Sequence, residues 1–358
     1  MLCPLFTDVF ILRARYLGVM RIQTYRTDHV FWDTPCFLGR TVKAPEIIAQ
    51  RSGKLWLSLL LIFIAGINFS FLFSVNKVAT EAGVPFFAYV FWYAFGAGLV
   101  LFVIAAVRRE LPRLDWPHIK AYGVAALLGF AFPFALLAFV APKLPSGVAV
   151  LLVILTPAIT YLLSLMARLE RFHLMSVCGL VLGVVGVFFI VVPSGSLPGA
   201  DMAGWFLLAL LAPISFAGLN VYVEISRPPA TTSLALAVGI LFSSALMLLP
   251  LMLATGQLYV FPGPVLDGDL ALMGAVVINI LMWPLFYEIV KRTGAFLMSM
   301  INVVGVIGGM VWSMLFFGEQ HSGYIWLAGA LMLLGLGFIL TRPILAARAA
   351  RAGAGKKV

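Results

Sequence analysis

Long apolar runs separated by short polar loops make up most of the chain. Each run has about twenty residues, which is enough for a helix to cross a hydrocarbon core about 30 Å thick. Backbone groups inside lipid must pair within their own segment, so the runs are predicted to be transmembrane α-helices. The predicted spans lie at residues 55–76, 85–107, 119–141, 146–167, 172–192, 203–224, 231–254, 269–290, 295–317 and 323–341. The predicted fold class is therefore an all-α integral membrane protein of about ten transmembrane helices.

The composition excludes an ordinary water-soluble fold, because 63% of the residues are hydrophobic and only 11% are charged. A net charge of +10 raises the question of nucleic acid binding. The Lys and Arg residues lie in two tails and short loops, so no nucleic acid is expected as a partner. Cys3, Cys36 and Cys178 fit no metal-binding spacing, so neither a metal nor a cofactor is expected. The expected partners are a small-molecule substrate and membrane lipid, and a homodimer is left open.

The charge distribution predicts the orientation of the spans. Basic residues of short loops stay on the cytoplasmic side of a membrane. With a cytoplasmic amino terminus, the external loops and span ends carry only Lys77 and Lys143. Residues 1–50 are predicted to be a weakly ordered basic tail, and the sequence leaves open whether residues 1–19 belong to the mature chain. Residues 342–358 are predicted to be a basic cytoplasmic tail, so both termini of this multi-pass protein are expected inside the cell (inner) membrane.

Two segments of the chain resemble each other. Residues 165–191 around Glu170 and residues 314–340 around Glu319 both read as an apolar helix, a short acidic turn and a Gly-rich helix. The comparison predicts two five-helix repeats, at residues 55–192 and 203–341. Because each repeat has an odd number of helices, the second is expected to be inverted relative to the first, a recurring design of transporters.

Helix breakers recur at similar depths in the two repeats. Pro133 in the third span corresponds to Pro284 in the eighth, and Pro157 in the fourth corresponds to Gly308 and Gly309 in the ninth. A proline inside a helix frees a backbone carbonyl, which in a membrane is tolerated where it is buried in protein or lines a polar cavity. These five residues are therefore candidate kink or gating positions, although kinks that only shape the packing are the alternative.

With these acidic turns and with Asn76 and Lys77 at the end of the first span, residues 55–341 resemble the drug/metabolite transporter superfamily, specifically proteins with two EamA-type domains. The resemblance implies cytoplasmic termini and a central cavity lined mainly by the first, third, fourth, sixth, eighth and ninth helices. It implies no catalytic motif and no common substrate. The sequence departs from the usual pattern in its long amino tail and in the extended loop 257–269.

The favoured substrate-binding face lies on the eighth span. Asn279, Trp283 and Tyr287 occur at intervals of four residues, which places an amide, an indole and a phenol on one face of a helix. An aromatic ring there can cover an apolar group or attract a cation, and the amide can donate and accept hydrogen bonds. The alternatives are that Trp283 packs within the bundle and that Tyr287 belongs to the interfacial aromatic belt.

Other uncharged polar residues at depth complete the predicted binding set. They suit a small polar or amphipathic solute, because no Lys, Arg or His lies in the middle of a span. For Thr156, whose side chain carries a hydroxyl group, helix packing is the alternative role. The additional candidates are Asn302, Asn68, Asn220 and Thr156.

The predicted function is secondary transport of a small, amino-acid-like or other amphipathic metabolite, by alternating access and in the direction of export. Glu224 and Glu288 near span ends are candidates for proton coupling, with ordinary interfacial ion pairs as the alternative. An intramembrane enzyme or a channel is the alternative class. The chain shows no catalytic motif, so an enzyme is not expected, and it shows no repeated selectivity-filter sequence.

Overall fold

The computed structural model describes residues 44–354 except 171, 194–195, 198, 200–201, 227–230, 265 and 299. Within this range it describes no side chains for 44–56, 58–59, 224, 287, 290–300 and 340–354. Residues 51–358 form one compact unit, which contains both predicted repeats. Most of the predicted amino-terminal tail lies outside the described residues.

The secondary structure in the described part of the chain is helical, which confirms the all-α membrane fold. The helices are α1 (Ala44–Glu81), α2 (Phe86–Arg108), α3a (Trp116–Ala126), α3b (Phe132–Val140), α4 (Ser146–Met166), α5 (Leu174–Val191), α6a (Met202–Ala209), α6b (Leu211–Ser226), α7 (Ser233–Ala254), α8 (Leu266–Met298), α9 (Met300–Phe317) and α10 (Gly323–Ala354). Eight stretches within the described residues are long and apolar enough to cross a bilayer. Two shorter apolar stretches, Ile301–Phe317 and Gly323–Ile339, belong to α9 and α10.

The third span contains a break beside Pro133, one of the candidate kink positions. A π-helical turn, Leu127–Ala131, connects α3a to α3b directly before Pro133. The Phe132 N–H donates to the Leu127 carbonyl oxygen, five residues earlier. In the same pattern the next residue would donate to the Leu128 carbonyl oxygen, but that residue is Pro133, which has no N–H. The Ser215 hydroxyl of α6b instead donates to the Leu128 carbonyl oxygen at 2.8 Å. The break is therefore stabilised by a neighbouring helix.

The sixth span has an interruption that the sequence analysis does not predict. A turn at Leu210 separates α6a from α6b, three residues before Pro213. Pro213 has no N–H to donate to the carbonyl of Ala209, the last residue of α6a, so the helix cannot continue regularly there.

Helices of the first half of the chain pack against helices of the second half. α2 packs along α7, α5 packs along α10, and α4 contacts α6b, α9 and α10. α6b also packs on α3b. The α1 helix reaches α8 through Asn68, whose amide donates to the Ile278 carbonyl oxygen at 3.0 Å. It reaches α9 at Gly66, where an added Cβ would lie 2.6 Å from the Val304 Cβ.

Glycines set the distance between α5 and α10. A Cβ on Gly179 would lie 2.4 Å from the Gly335 carbonyl oxygen, and a Cβ on Gly335 would lie 2.6 Å from the Gly179 carbonyl oxygen. A Cβ on Gly186 would lie 3.1 Å from the Ala328 carbonyl oxygen. The two backbones therefore touch, which is the use that membrane helices make of small residues.

The extended loop 257–269 is folded against the helices. Asp269 is buried and accepts hydrogen bonds from the Tyr259 hydroxyl at 2.7 Å and from the Gly263 N–H at 2.8 Å. The indole N–H of Trp92 on α2 donates to the Tyr259 carbonyl oxygen at 2.6 Å. This departure from the family pattern is thus a structured connection between α7 and α8.

Candidate functional site

Two residues of the predicted substrate-binding face on α8, Asn279 and Trp283, are bonded to each other. Asn279 is fully buried, and its amide donates to the Ala275 carbonyl oxygen of its own helix at 2.8 Å. The Trp283 indole N–H donates to the Asn279 side-chain oxygen at 2.9 Å. The amide therefore fixes the orientation of the indole ring. The side chain of Tyr287, the third member of the predicted face, lies outside the described residues.

Trp283 belongs to an aromatic cluster, which we define as Tyr93, Phe130, Phe134, Phe216 and Trp283. The Trp283 ring lies 5.5 Å from the Phe130 ring and 6.5 Å from the Phe134 ring, measured between centroids. Tyr93 lies 5.6 Å from Phe130, and Phe216 lies 5.8 Å from Phe134. Rings from α2, the α3 break, α6b and α8 thus meet at one place in the bundle.

One member of the aromatic cluster carries a polar atom without a partner. Tyr93 is fully buried, and in the described part of the chain its hydroxyl has no hydrogen-bond partner. Buried hydroxyl groups are usually paired, because leaving one unpaired costs about 1–3 kcal/mol. The Tyr93 hydroxyl is therefore a polar group that a bound solute could satisfy.

A second group of predicted residues forms what we call the polar track, Thr156, Thr160 and Asn220, between α4 and α6b. The exposed Asn220 amide donates to the Thr160 hydroxyl at 3.1 Å, and that hydroxyl donates to the Thr156 carbonyl oxygen at 2.8 Å. The Thr156 hydroxyl is buried and, among the described residues, has no partner. The track therefore leads from an exposed amide to a buried hydroxyl beside Pro157.

The remaining predicted residues are spread along the same helices. Asn302 is half-buried on α9, and Glu288 is half-buried towards the end of α8. The side chain of Glu224 lies outside the described residues. Pro157 and Pro284 lie inside α4 and α8, which the structure shows as unbroken helices.

Gly308 and Gly309 lie inside the unbroken helix α9. A Cβ on Gly308 would lie 2.7 Å from the Ser70 hydroxyl oxygen of α1. A Cβ on Gly309 would lie 2.5 Å from a methyl carbon of Val150 on α4. The glycine pair therefore allows α9 to approach α1 and α4 at the same level.

The sequence analysis missed a charged group of residues at one end of the bundle, which we name the Lys77 cluster: Lys77, Ser146, Gly147 and Glu319. The Lys77 ammonium lies 2.7 Å from the Glu319 carboxylate, with the two side chains 14% and 10% exposed. Backbone N–H groups at the amino end of α4 also donate to this carboxylate, from Ser146 at 2.9 Å and from Gly147 at 3.4 Å. The positive end of the α4 dipole adds to the attraction.

One carboxylate therefore joins three elements: the end of α1, the beginning of α4 and the turn after α9. The Lys77 ammonium also lies 4.6 Å from the centroid of the Phe317 ring. The nearby acid Glu81, the partner that the sequence favours at a spacing of four residues, is 4.0 Å from Lys77 and 45% exposed. A signal for the observed pairing exists in the sequence, because the predicted topology places Lys77 and Glu319 on the same side of the membrane.

A histidine adjoins the Lys77 cluster. The ring of His321 is within hydrogen-bonding distance of the Ser313 hydroxyl, at 2.8 Å from Nε2. Burial lowers the pKa of His321 because it disfavours the charged ring, while the Glu319 carboxylate acts in the opposite direction. A Cβ on Gly147 would lie 2.5 Å from the same Nε2. The absence of a side chain at Gly147 therefore makes room for the histidine.

Among the residues that the structure describes, no three His, Cys, Asp or Glu side chains come together as a group that could hold a metal ion. The chemistry that the described site offers is hydrogen bonding by amides and hydroxyls, contact with aromatic rings, and a partly buried ion pair.

Comparison with known proteins relates part of the chain to a family. Residues 56–192 match the EamA-like transporter family. The protein PecM of Dickeya dadantii (strain 3937) is 26% identical over 225 residues, which cover 62% of this chain and 73% of PecM. A solved crystal structure covers 79% of this chain and 96% of its own, with a TM-score of 0.54 and 20% identity, and at that identity it supports the fold alone. Residues 56–192 therefore form an EamA-like transporter family domain, which confirms the family resemblance for the first repeat, while a second EamA-type domain stays a prediction.

Proposed function

We propose that this protein is a secondary transporter that exports a small polar or amphipathic metabolite, such as an amino-acid-like solute, by alternating access. The observation that carries the proposal is the meeting of uncharged polar side chains and aromatic rings from α2, α3, α4, α6b and α8 within an EamA-like membrane bundle. Such a lining can bind the apolar part of a solute on rings and its polar part on amides and hydroxyls.

The contacts between helices support two inverted five-helix repeats, residues 55–192 and 203–341. In such an arrangement α1 corresponds to α6, α3 to α8, and α4 to α9. Exchanging each helix for its counterpart turns contacts of α1 with α8 and α9 into contacts of α6 with α3 and α4. Both sets are observed, since α1 contacts α8 and α9 while α6b packs on α3b and α4. The corresponding pairs α2 with α7 and α5 with α10 also lie side by side.

The glycine contacts between α5 and α10 support the same symmetry at the level of single residues. The offset that aligns Glu170 with Glu319 also aligns Gly186 with Gly335 and Gly179 with Ala328. A contact of Gly186 with Ala328 therefore requires a second contact of Gly335 with Gly179, and both are observed. A twofold relation between the repeats explains this reciprocity, and transporters of this design bind substrate where their repeats meet.

The substrate class follows from the absence of fixed charge in the middle of the spans and from the groups that are present. Asn220 of the polar track is exposed and connects to the buried Thr156 through Thr160. The aromatic cluster includes Phe216 of α6b itself, and α3b, which carries Phe134, packs against α6b. A solute with one hydrogen-bonding group and one flat or apolar group would satisfy both surfaces.

The proposed orientation has both termini in the cytoplasm of a cell with the protein in its inner membrane. The excess of Lys and Arg in one set of loops supports it. In this orientation the Lys77 end of the bundle faces outward, and Asn220 lies towards the cytoplasm. Export and proton coupling by Glu224 or Glu288 belong to the same proposal. Replacing either acid by Gln should change the pH dependence of transport if that residue carries the proton.

The experiment compares small molecules inside and outside cells that overproduce the wild type, a variant, or no transporter. The variant is Thr160→Ala with Asn220→Ala, because this pair is half-buried or exposed and its loss should spare the fold. Ser244→Ala is the matched control: its hydroxyl is buried on α7 and, among the residues that the structure describes, bonds only to the Ile240 carbonyl oxygen of its own helix, at 2.8 Å.

We expect at least one compound to rise outside cells that carry the wild type or Ser244→Ala. In the double variant the rise should be smaller by about tenfold, the change that follows the loss of about 1.4 kcal/mol of binding. Equal external metabolite levels in all four cultures would contradict export. A rise that the double variant retains in full would contradict the assignment of the polar track to the substrate.

A further inference from the structure

The Lys77 cluster joins parts of the molecule that belong to different proposed repeats. Lys77 lies near the end of α1 and Ser146 begins α4, both in the first repeat, while Glu319 lies in the turn after α9 in the second. The carboxylate of Glu319 contacts both of them directly, at 2.7 Å and 2.9 Å. One side chain of the second repeat therefore ties two helices of the first at the same end of the bundle.

The burial of this contact makes it stronger than an ordinary surface ion pair. Glu319 is 10% exposed and Lys77 is 14% exposed, so water screens their attraction only weakly. Hydrogen bonds that involve a charged group are shorter and stronger than neutral ones. A partly buried carboxylate that lost these partners would be left uncompensated, so the contact opposes any separation of α1 and α4 from the turn after α9.

From this arrangement we propose that Glu319 is a gate residue: its contacts with Lys77 and with the amino end of α4 close the Lys77 end of the transport path. The proposal rests on the proposed function, since alternating access requires each end to open in turn. When the Lys77 end opens, Glu319 must leave Lys77, Ser146 and Gly147 together. When it closes, the three contacts form again and favour opening at the other end.

Two single-cysteine reporters can follow the two ends separately. Ser74→Cys lies on α1 one turn below Lys77, where the serine side chain is 3% exposed. Asn220→Cys lies on α6b, where the side chain is exposed towards the opposite end. Both are made in a full-length chain whose native cysteines, Cys3, Cys36 and Cys178, are changed to serine. A membrane-impermeant maleimide is applied to intact cells and to inverted membrane vesicles, so that each face of the membrane is sampled.

Glu319→Gln tests the gate because it keeps the size of the side chain and removes its charge. Glu81→Gln is the matched control, since Glu81 lies 4.0 Å from the same lysine but is 45% exposed. Lys77→Met removes the other charge. The double variant Lys77→Met with Glu319→Gln should change the labelling rates no more than either single variant does, because both substitutions remove the same interaction.

We expect Glu319→Gln to raise the rate of labelling of Ser74→Cys by about tenfold or more and to lower the rate at Asn220→Cys. Glu81→Gln should leave both rates within about twofold of the parent. The reciprocal change is the decisive feature. A variant that had merely loosened or unfolded would label faster at both reporters, and that result would overturn the proposal.

A labelling rate at Ser74→Cys that stays within about twofold of the parent when Glu319→Gln is introduced would also overturn the proposed gate. The labelling needs no substrate, so its outcome is separate from that of the metabolite comparison. If the reporters respond reciprocally while no compound is exported, the gate stands as a conformational device and the assignment of export fails. If export is found and the reporters do not respond, the gate alone fails.

Discussion

The contact between α5 and α10 gives a sharp prediction about stability, because two glycine backbones touch there. A Cβ added at Gly179 would lie 2.4 Å from the Gly335 carbonyl oxygen, whereas heavy atoms in favourable contact are about 3.5 Å apart. The helices would have to separate by about 1 Å, since a backbone oxygen cannot rotate away as a side chain can. Overpacking of this kind costs about 1–3 kcal/mol.

Gly337 provides the matched control on α10, two residues after Gly335. A Cβ at Gly337 would meet no atom within 4 Å. Alanine favours a helix over glycine by about 1 kcal/mol at either position, so the difference between Gly179→Ala and Gly337→Ala isolates the steric cost. We expect Gly179→Ala to have the lower free energy of unfolding by about 1–3 kcal/mol. Gly335→Ala should behave like Gly179→Ala.

The measurement is unfolding of the purified protein by sodium dodecyl sulfate in mixed micelles, followed by tryptophan fluorescence. Gly179→Ala combined with Gly335→Ala should cost less than the sum of the two single changes, because both methyl groups push apart the same pair of helices. Equal free energies of unfolding for Gly179→Ala and Gly337→Ala would refute the reasoning. That result would mean that α5 and α10 do not approach each other as described.

Three further outcomes are expected from local contacts. Ser215→Ala should lower the free energy of unfolding by about 0.6–1.7 kcal/mol, the range for hydrogen bonds between membrane helices, while Ser244→Ala should have a smaller effect. Trp283→Phe should cost about 1–3 kcal/mol, because the buried oxygen of Asn279 loses its indole donor. Burial lowers the pKa of His321, so the unfolded chain binds a proton at this residue more readily than the folded one. The free energy of unfolding should therefore be highest above about pH 6.5 and decrease as the pH falls below that value. His321→Gln should flatten this dependence in thermal melts at a series of pH values.

The order and positions of the helices could be predicted from the sequence, because lipid imposes one requirement on every span. Each backbone group must pair within its own helix, and this requirement appears in the sequence as a long apolar run. Proline removes a donor wherever it occurs in a helix, so the sequence marks Pro133, Pro157 and Pro284 as candidate kinks, and a break occurs beside Pro133 while the other two helices are unbroken. The sequence could not indicate that the break would be a π-turn stabilised by Ser215, which is distant in the chain.

The site shows the same division between local and distant information. The spacing of Asn279 and Trp283 predicted one helix face, and the structure adds that the two side chains bond to each other. Glu81 lies four residues after Lys77, a spacing that favours an ion pair within one helix, but the shorter contact of Lys77 is with Glu319, far along the chain. Partners of this kind depend on how helices are arranged around each other, and this arrangement leaves little trace in the spacing of residues within one helix.

The most direct test of the central claim, transport by alternating access, is counterflow in liposomes that contain the purified protein. The vesicles are loaded with an unlabelled excess of a compound that the wild type exports from cells and are diluted into a trace of its labelled form. A carrier predicts that the label accumulates transiently above its external concentration, and that Thr160→Ala with Asn220→Ala reduces this overshoot while Ser244→Ala retains it. Label that only equilibrates, or that never enters beyond the level of protein-free vesicles, would contradict the account.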